Sequence, residues 1–125
     1  MQITIRRATI KDAVALSVIA KQTFYDTFKD TCTAADMQNF LDEVFNEEAL
    51  LKELNDENDH CYFAEQQGVL KGYIRFKEDK ESFPVMNQWK AIELKRIYVL
   101  KEFLGKGIAQ QLMDFFIDHA LQNSD

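Results

Sequence analysis

Apolar and polar positions alternate with period two at the start of the chain, where Ile3 and Ile5 share one face of the segment Gln2 to Arg6, and this predicts a short strand. Thr9-Ile10-Lys11-Asp12 follows, a hydroxyl residue with an acid three positions on, which is the order of a capping box. The period then changes. Ala13, Leu16, Ile19, Ala20, Thr23 and Phe24 recur at steps of three and four, predicting an amphipathic helix over 10–28. A second cap, Thr33-Ala34-Ala35-Asp36, opens a helix with Met37, Phe40, Leu41 and Val44 on one face. Asn46-Glu47-Glu48 starts a further short helix through Leu50, Leu51 and Leu54.

From Cys61 onward the pattern is that of strands. Cys61 to Glu65 and Val69 to Phe76 are separated by Gln66-Gln67-Gly68, a good hairpin turn. Lys77 to Lys90 is polar and contains Pro84, as expected of a loop or an excursion from the sheet edge. Ala91 to Leu100, AIELKRIYVL, predicts a central strand. A glycine-containing loop, Lys101 to Lys106, leads into a helix over 107–122 striped by Ile108, Leu112, Phe115, Phe116 and Ala120. With no repeat, low-complexity tract or linker, residues 1–125 form one domain. The expected order is a strand, two or three helices, an antiparallel hairpin, a strand and a helix. That is an α/β (α+β) pattern with a mixed, mostly antiparallel sheet flanked by helices, in short β-α-α-β-β-β-α.

Composition narrows the function. The 125 residues are 46% apolar and 12% aromatic, with ten Phe, too rich for a disordered chain. Fifteen Lys and Arg against twenty-one Asp and Glu give a net charge of −6, which argues against a nucleic-acid partner and leaves room for a cationic substrate. Cys32 and Cys61 are too few for a disulfide framework and read as reduced thiols. No apolar run is long enough for a membrane span, and the N-terminus lacks the apolar core of a signal peptide, so the expected location is the cytoplasm.

The segment Ile97-Tyr98-Val99-Leu100-Lys101-Glu102-Phe103-Leu104-Gly105-Lys106-Gly107-Ile108-Ala109 runs from a strand through two glycines into a helix. Amides at a helix start are unsatisfied donors at the positive end of the dipole, and glycines let an anion approach the backbone. Lys106 adds a charge there. A phosphate or pyrophosphate site is one reading; a tight turn that needs glycine for steric reasons is the other. The spacing is neither that of a P-loop nor the full G-x-G-x-x-G.

Leu104-Gly105-Lys106-Gly107-Ile108-Ala109 resembles motif A of the GNAT-type N-acetyltransferases, with Leu104 where Arg or Gln is usual. The resemblance extends over essentially the whole chain and is closest to the bacterial spermine/spermidine N-acetyltransferase subgroup. It implies transfer of acetyl from acetyl-CoA to a primary amine, possible candidates including a polyamine, by direct attack in a ternary complex. It further implies that Ile97 and Val99 offer backbone groups to the pantetheine arm and that Gly105, Lys106, Gly107 and Ala109 cradle the pyrophosphate, with Tyr98, Leu104 and Ile108 counted among the coenzyme-binding residues. The family fold continues past this last helix, so the resemblance also implies a domain incomplete at its C-terminus. The residue that protonates the leaving thiolate would lie in that missing part. A non-catalytic remnant that binds coenzyme A weakly, or acts only in a homodimer or chain-swapped oligomer, is the alternative.

Glu93, on the strand expected to line the cleft, is the candidate base that would deprotonate the amine; a solvated or ion-paired carboxylate is the other reading. Phe24, Tyr25 and Phe28 sit where the family shapes its acceptor site, although an aromatic stripe at helical spacing also suits a core. His60 and His119 have no ligand set near them in sequence, and no metal is expected.

Overall fold

The structure is a computed structural model that describes residues 3–79 and 91–122. Strand β1 (Thr4–Arg7) is followed by a 3-10 turn (Ile10–Asp12) and three helices, α1 (Ala13–Phe28), α2 (Ala34–Val44) and α3 (Glu47–Asn55). Strands β2 (Asp59–Gln66), β3 (Val69–Asp79) and β4 (Ala91–Val99), a second 3-10 turn (Lys101–Phe103) and helix α4 (Ile108–Gln122) complete it. The polar stretch expected to be a loop proves to be strand as far as Asp79, and its remainder lies outside the described residues.

Local chemistry sets the boundaries. Thr9 and Asp12 form the expected capping box, but the turn they open is 3-10 before it becomes α-helix at Ala13. The Thr33 side chain accepts from the Asp36 amide at the start of α2. Asn46 explains why three helices replace the two of the shortest expected order. Its Oδ1 accepts from the Ala49 amide at 2.8 Å, while its Nδ2 donates to the carbonyls of Asp42 and Glu43. One side chain thus closes α2 and opens α3.

The four strands form an antiparallel sheet in the order β1-β2-β3-β4. Gln67 and Gly68 both have positive φ, 54° and 78°, as a two-residue turn needs to match the twist of its strands. Beneath one face lie α1, α2 and α3, which bury Leu16, Ile19, Ala20, Met37, Leu41, Phe45 and Leu50 against Cys61, Phe63 and Tyr73. The other face is covered by α4, through Ile108 and Leu112 against Ala64, Ile74 and Phe76. The strand expected to be central, β4, is the edge of the described sheet.

β4 also changes phase. Leu94 pairs with Phe76 but Arg96 pairs with Arg75, so Lys95 is an extra residue in the ladder. Ile92 and Leu94 before this bulge, and Ile97 and Val99 after it, all pack on the α4 side. The change from even to odd apolar positions in AIELKRIYVL is the trace of that bulge in the sequence.

Candidate functional site

The site is built at the end of β4. The Leu100 amide donates to the Lys71 carbonyl at 2.9 Å, so Leu100 turns its backbone toward β3. In an antiparallel ladder the hydrogen-bonding direction alternates with each residue. Tyr98 therefore also faces β3, whereas Ile97 and Val99 turn their N–H and C=O groups outward. Among the described residues no strand pairs with that outer edge. Of the three strand positions expected to meet a ligand, two offer backbone groups; Tyr98 instead packs its ring into the core, 6.0 Å from that of Tyr73.

Past the edge, the chain turns through Lys101–Phe103 and enters α4. Gly105 and Gly107 both have φ +81°, a conformation that side chains with a Cβ rarely adopt. No atom lies within 4 Å of where a Cβ would stand on either, so backbone conformation, not crowding, requires glycine, and the space outside is open. The first rung of the helix is the Gln111 amide on the Gly107 carbonyl, 3.1 Å. The amides ahead of it are the donors that every helix start leaves without an intrahelical acceptor. Leu104, Lys106 and Ala109 are exposed around them, whereas the Ile108 side chain is buried and seats the helix. Strand edge, glycine turn and helix start together offer backbone donors of the kind an anion takes.

Gly72, opposite Val99, holds this edge in place. A Cβ there would stand 2.7 Å from the Tyr98 carbonyl oxygen and 3.2 Å from the Val99 Cα. Lys71, the extra residue of a second bulge beside Gly72, sets its Nζ 4.0 Å from the centre of the Phe103 ring, a cation–π contact that ties β3 to the turn.

Glu93 is well exposed and pairs with Lys95, Oε1 to Nζ 3.1 Å. Phe24 and Phe28 are half-buried; the Phe24 ring stacks on Phe40 and lies tilted against Phe28, 4.5 Å from each. With Thr31, Cys32, Asp36 and Met37 they line a mainly apolar cleft of about 230 Å³. Tyr25 is exposed and does not line it.

Two side-chain groupings escaped the sequence reading because their members are far apart in the chain. Under β4, Arg75 grips Asp59 with two bonds of 2.9 and 2.7 Å, and Arg96 grips Glu53 with two of 3.1 and 3.2 Å. Arg75 also lies 3.5 Å from Glu53, and Arg96 stands over the Phe45 ring. Burial pulls the Arg75 pKa down, but Asp59 and Glu53 outweigh it and hold the guanidinium above its ordinary value. The available signal was an Arg at positions whose neighbours two residues away, Tyr73 and Tyr98, face the core. Burial likewise pushes up the nearby Tyr73 hydroxyl, which has no hydrogen-bond partner among the described residues, and lifts the Cys61 thiol to about 12.

The second grouping is His60, Glu78 and His119, for which the sequence suggested no ligand set. The fold corrects that premise by bringing β2, β3 and α4 together there.

An antiparallel sheet covered on both faces, with a glycine turn leading from an open strand edge into a helix, defines an α+β fold. The Acetyltransferase (GNAT) domain model matches residues 28–125, and the chain belongs to that family. It is 30% identical over 105 residues to an uncharacterised N-acetyltransferase in the pepI 3′ region of Lactobacillus delbrueckii subsp. lactis, spanning 84% of this chain and 60% of that relative's length. Among solved structures it is similar to the PaiA N-acetyltransferase of Thermoplasma acidophilum in complex with coenzyme A. That likeness has a TM-score of 0.81 at 22% identity, covering 98% of this chain and 74% of the other. It is also similar to an aminoglycoside acetyltransferase from an uncultured soil metagenomic sample in complex with sisomicin, with a TM-score of 0.70 at 14% identity, covering 98% and 72%.

Proposed function

We propose that this chain forms the coenzyme-binding body of an N-acetyltransferase that moves acetyl from acetyl-CoA to a primary amine. The observation that carries the reading is the pair of +81° glycines joining the outward-facing edge of β4 to the start of α4. Ile97 and Val99 pair with the amide groups of the pantetheine arm as an added strand would. The amides from Gly105 to Ala109 hold the pyrophosphate, and Lys106 adds charge from the rim. Leu104 brings no donor, so binding rests on backbone groups at that position.

Held this way, the thioester carbonyl lies within reach of the Val99 N–H, which polarises it as the amine attacks. The carbonyl carbon gains the C–N bond and loses the C–S bond, and coenzyme A leaves as the thiolate. A free primary ammonium, pKa about 10, must first lose a proton, and Glu93 is the candidate acceptor. The cleft of Phe24, Phe28 and Phe40, with Asp36 on its wall, suits an alkylammonium, because aromatic faces and a carboxylate both attract cations. The net charge of −6 agrees with a polycationic acceptor such as a polyamine, and the sisomicin-bound relative shows an amine-rich ligand on a similar fold.

One observation favours the second reading, a domain that binds the coenzyme without catalysing transfer. Glu93 is exposed and held by Lys95 at 3.1 Å, so its carboxylate faces solvent and a lysine rather than a walled site for an amine.

Calorimetric titration of the chain with acetyl-CoA tests the first step. Micromolar binding abolished by Gly107→Glu, in a variant with unchanged far-UV circular dichroism, is expected; binding that survives would refute the loop assignment. A screen of polyamines with coenzyme A release as readout then separates the readings. Turnover that Glu93→Gln lowers by about 10²-fold supports the base, whereas binding without turnover favours the second reading.

A further inference from the structure

On the sheet face covered by α4, and away from the glycine turn, three potential ligands converge from three elements. His60 comes from β2, Glu78 from β3 and His119 from α4, and one donor atom of each lies within 4.8 Å of the other two. We propose that they form a site for a divalent transition-metal ion of the Zn²⁺ type.

The geometry is built rather than incidental. His60 is more than nine-tenths buried, and its ring stacks on Phe76 at 5.2 Å. Its Nε2 lies 3.2 Å from Glu78 Oε2, already the ligand-to-ligand spacing of a tetrahedral site with metal–ligand bonds of about 2.0–2.1 Å. Glu78 is fixed in turn by its amide, which donates to the Asn58 carbonyl at 2.8 Å. The His119 ring packs 5.0 Å from His60 and 4.9 Å from Phe76, so a side-chain rotation brings its nitrogen onto a shared ion.

His60 Nδ1 is buried without a hydrogen-bond partner among the described residues, and the Glu78 carboxylate is nearly buried beside two imidazoles. Two imidazoles and one carboxylate suit Zn²⁺, Co²⁺ or Ni²⁺ and not the oxygen-seeking Mg²⁺ or Ca²⁺. Three protein ligands leave a fourth position to solvent. An ion there would clamp α4, whose other end carries the glycine turn, to the β2–β3 hairpin.

Co²⁺ titration of the untagged, chelator-treated chain, followed by visible absorption, tests the site. Expected are one equivalent bound with the intense bands of a four-coordinate N/O site, displacement by Zn²⁺, and no displacement by 10-fold excess Mg²⁺. At a free Zn²⁺ concentration of 100 times Kd, Tm should rise on the order of 10 °C. His60→Ala removes a core ring and can unfold the chain, so the deciding variants are Glu78→Gln and His119→Gln. Each should stay folded by circular dichroism and weaken Co²⁺ at least about 10-fold. No cobalt band at millimolar metal, displacement by Mg²⁺, or affinity unchanged in both variants would overturn the proposal. The readout is metal binding, so it stands or falls independently of acetyl transfer.

Discussion

Gly72→Ala adds one methyl group at the tightest approach behind the candidate coenzyme edge. Its Cβ would meet the Tyr98 carbonyl oxygen at 2.7 Å, Val99 Cγ2 at 3.1 Å and Val99 Cα at 3.2 Å. Two of the three are backbone atoms, so no rotamer change relieves the contact. Reaching an ordinary separation of about 3.4 Å means moving β4 away from β3 by roughly 0.7 Å. Forcing a methyl into a packed site costs about 1–3 kcal/mol. The alanine recovers part of this, about 0.4–1 kcal/mol, by restricting the unfolded chain. The net expectation is a loss of about 1–2 kcal/mol, which in a domain of this size lowers Tm by roughly 4–10 °C.

Function separates this strain from a general loss of stability. The displaced residues are those whose neighbours Ile97 and Val99 offer the outward backbone groups, so acetyl-CoA affinity should fall at a temperature where the variant is fully folded. Thermal melts paired with calorimetric titration measure both quantities. Gly68→Asn is the control: its Cβ meets no atom within 4 Å, its φ of +78° is one that Asn tolerates, and it lies at the far hairpin turn. A Gly72→Ala chain as stable as the parent, with unchanged affinity, would refute both the close packing and its link to the edge.

Asp59→Asn leaves the partly buried Arg75 guanidinium without its two-bond partner and with Glu53 at 3.5 Å as its remaining carboxylate among the described residues, so urea denaturation should show a loss of about 3 kcal/mol. Cys61 is buried and its thiol is pushed up to about 12, whereas Cys32 is exposed, so a thiol reagent at pH 8 should modify Cys32 in the folded chain and both residues in urea, as read by mass spectrometry. Arg6 chiefly, with the Thr9 amide, holds the Asp12 carboxyl below its ordinary value despite burial. A depressed folded pKa means that Asp12 stabilises fully above its unfolded value of about 3.9, and that this contribution is lost as pH falls through the folded value. Stability curves of the parent and Asp12→Asn should therefore keep a constant separation above about pH 4 and converge as pH falls below it; a separation that persists unchanged into acid would sink the assignment.

Elements whose signals are local were legible in the sequence. Thr9 with Asp12, Thr33 and Asn46 cap the turns and helices they were expected to cap, because a cap needs a side chain and an amide only two or three residues away. Gln67-Gly68 made its turn because both residues tolerate positive φ. The β4 bulge was visible only as a phase slip and was absorbed into a continuous strand. Among the described residues β4 is an edge rather than a central strand, because an apolar run reports burial on its faces and not the pairing of its edges. Glu93 shows the limit most plainly: alternation placed it on a face, but the 3.1 Å partner that determines its surroundings depends on side-chain geometry. The pairs of Arg75 with Asp59 and of Arg96 with Glu53, like the cluster of His60, Glu78 and His119, rest on contacts between elements distant in the chain, which no local spacing encodes.

Helix α4 joins these observations into one mechanical argument. Its first turn follows two glycines whose conformation exposes backbone donors, and its buried Ile108 and Leu112 lock that turn to Ala64, Ile74 and Phe76. Anion binding at a helix start is effective only if the donors are already fixed, since each amide ordered on binding subtracts from affinity. The packing of Ile108, one residue past the second glycine, supplies that fixation at the nearest possible point. Fifteen residues make a rigid rod about 22 Å long, so the other end, where His119 meets His60 and Phe76, controls its tilt. Loosening that far contact tips the donors as a unit. Substitutions at His119 should therefore weaken coenzyme binding modestly and together with stability, whereas substitutions at Gly105 or Gly107 should weaken it without touching the α4 core. The difference between those two patterns distinguishes a lever from a ligand-binding surface.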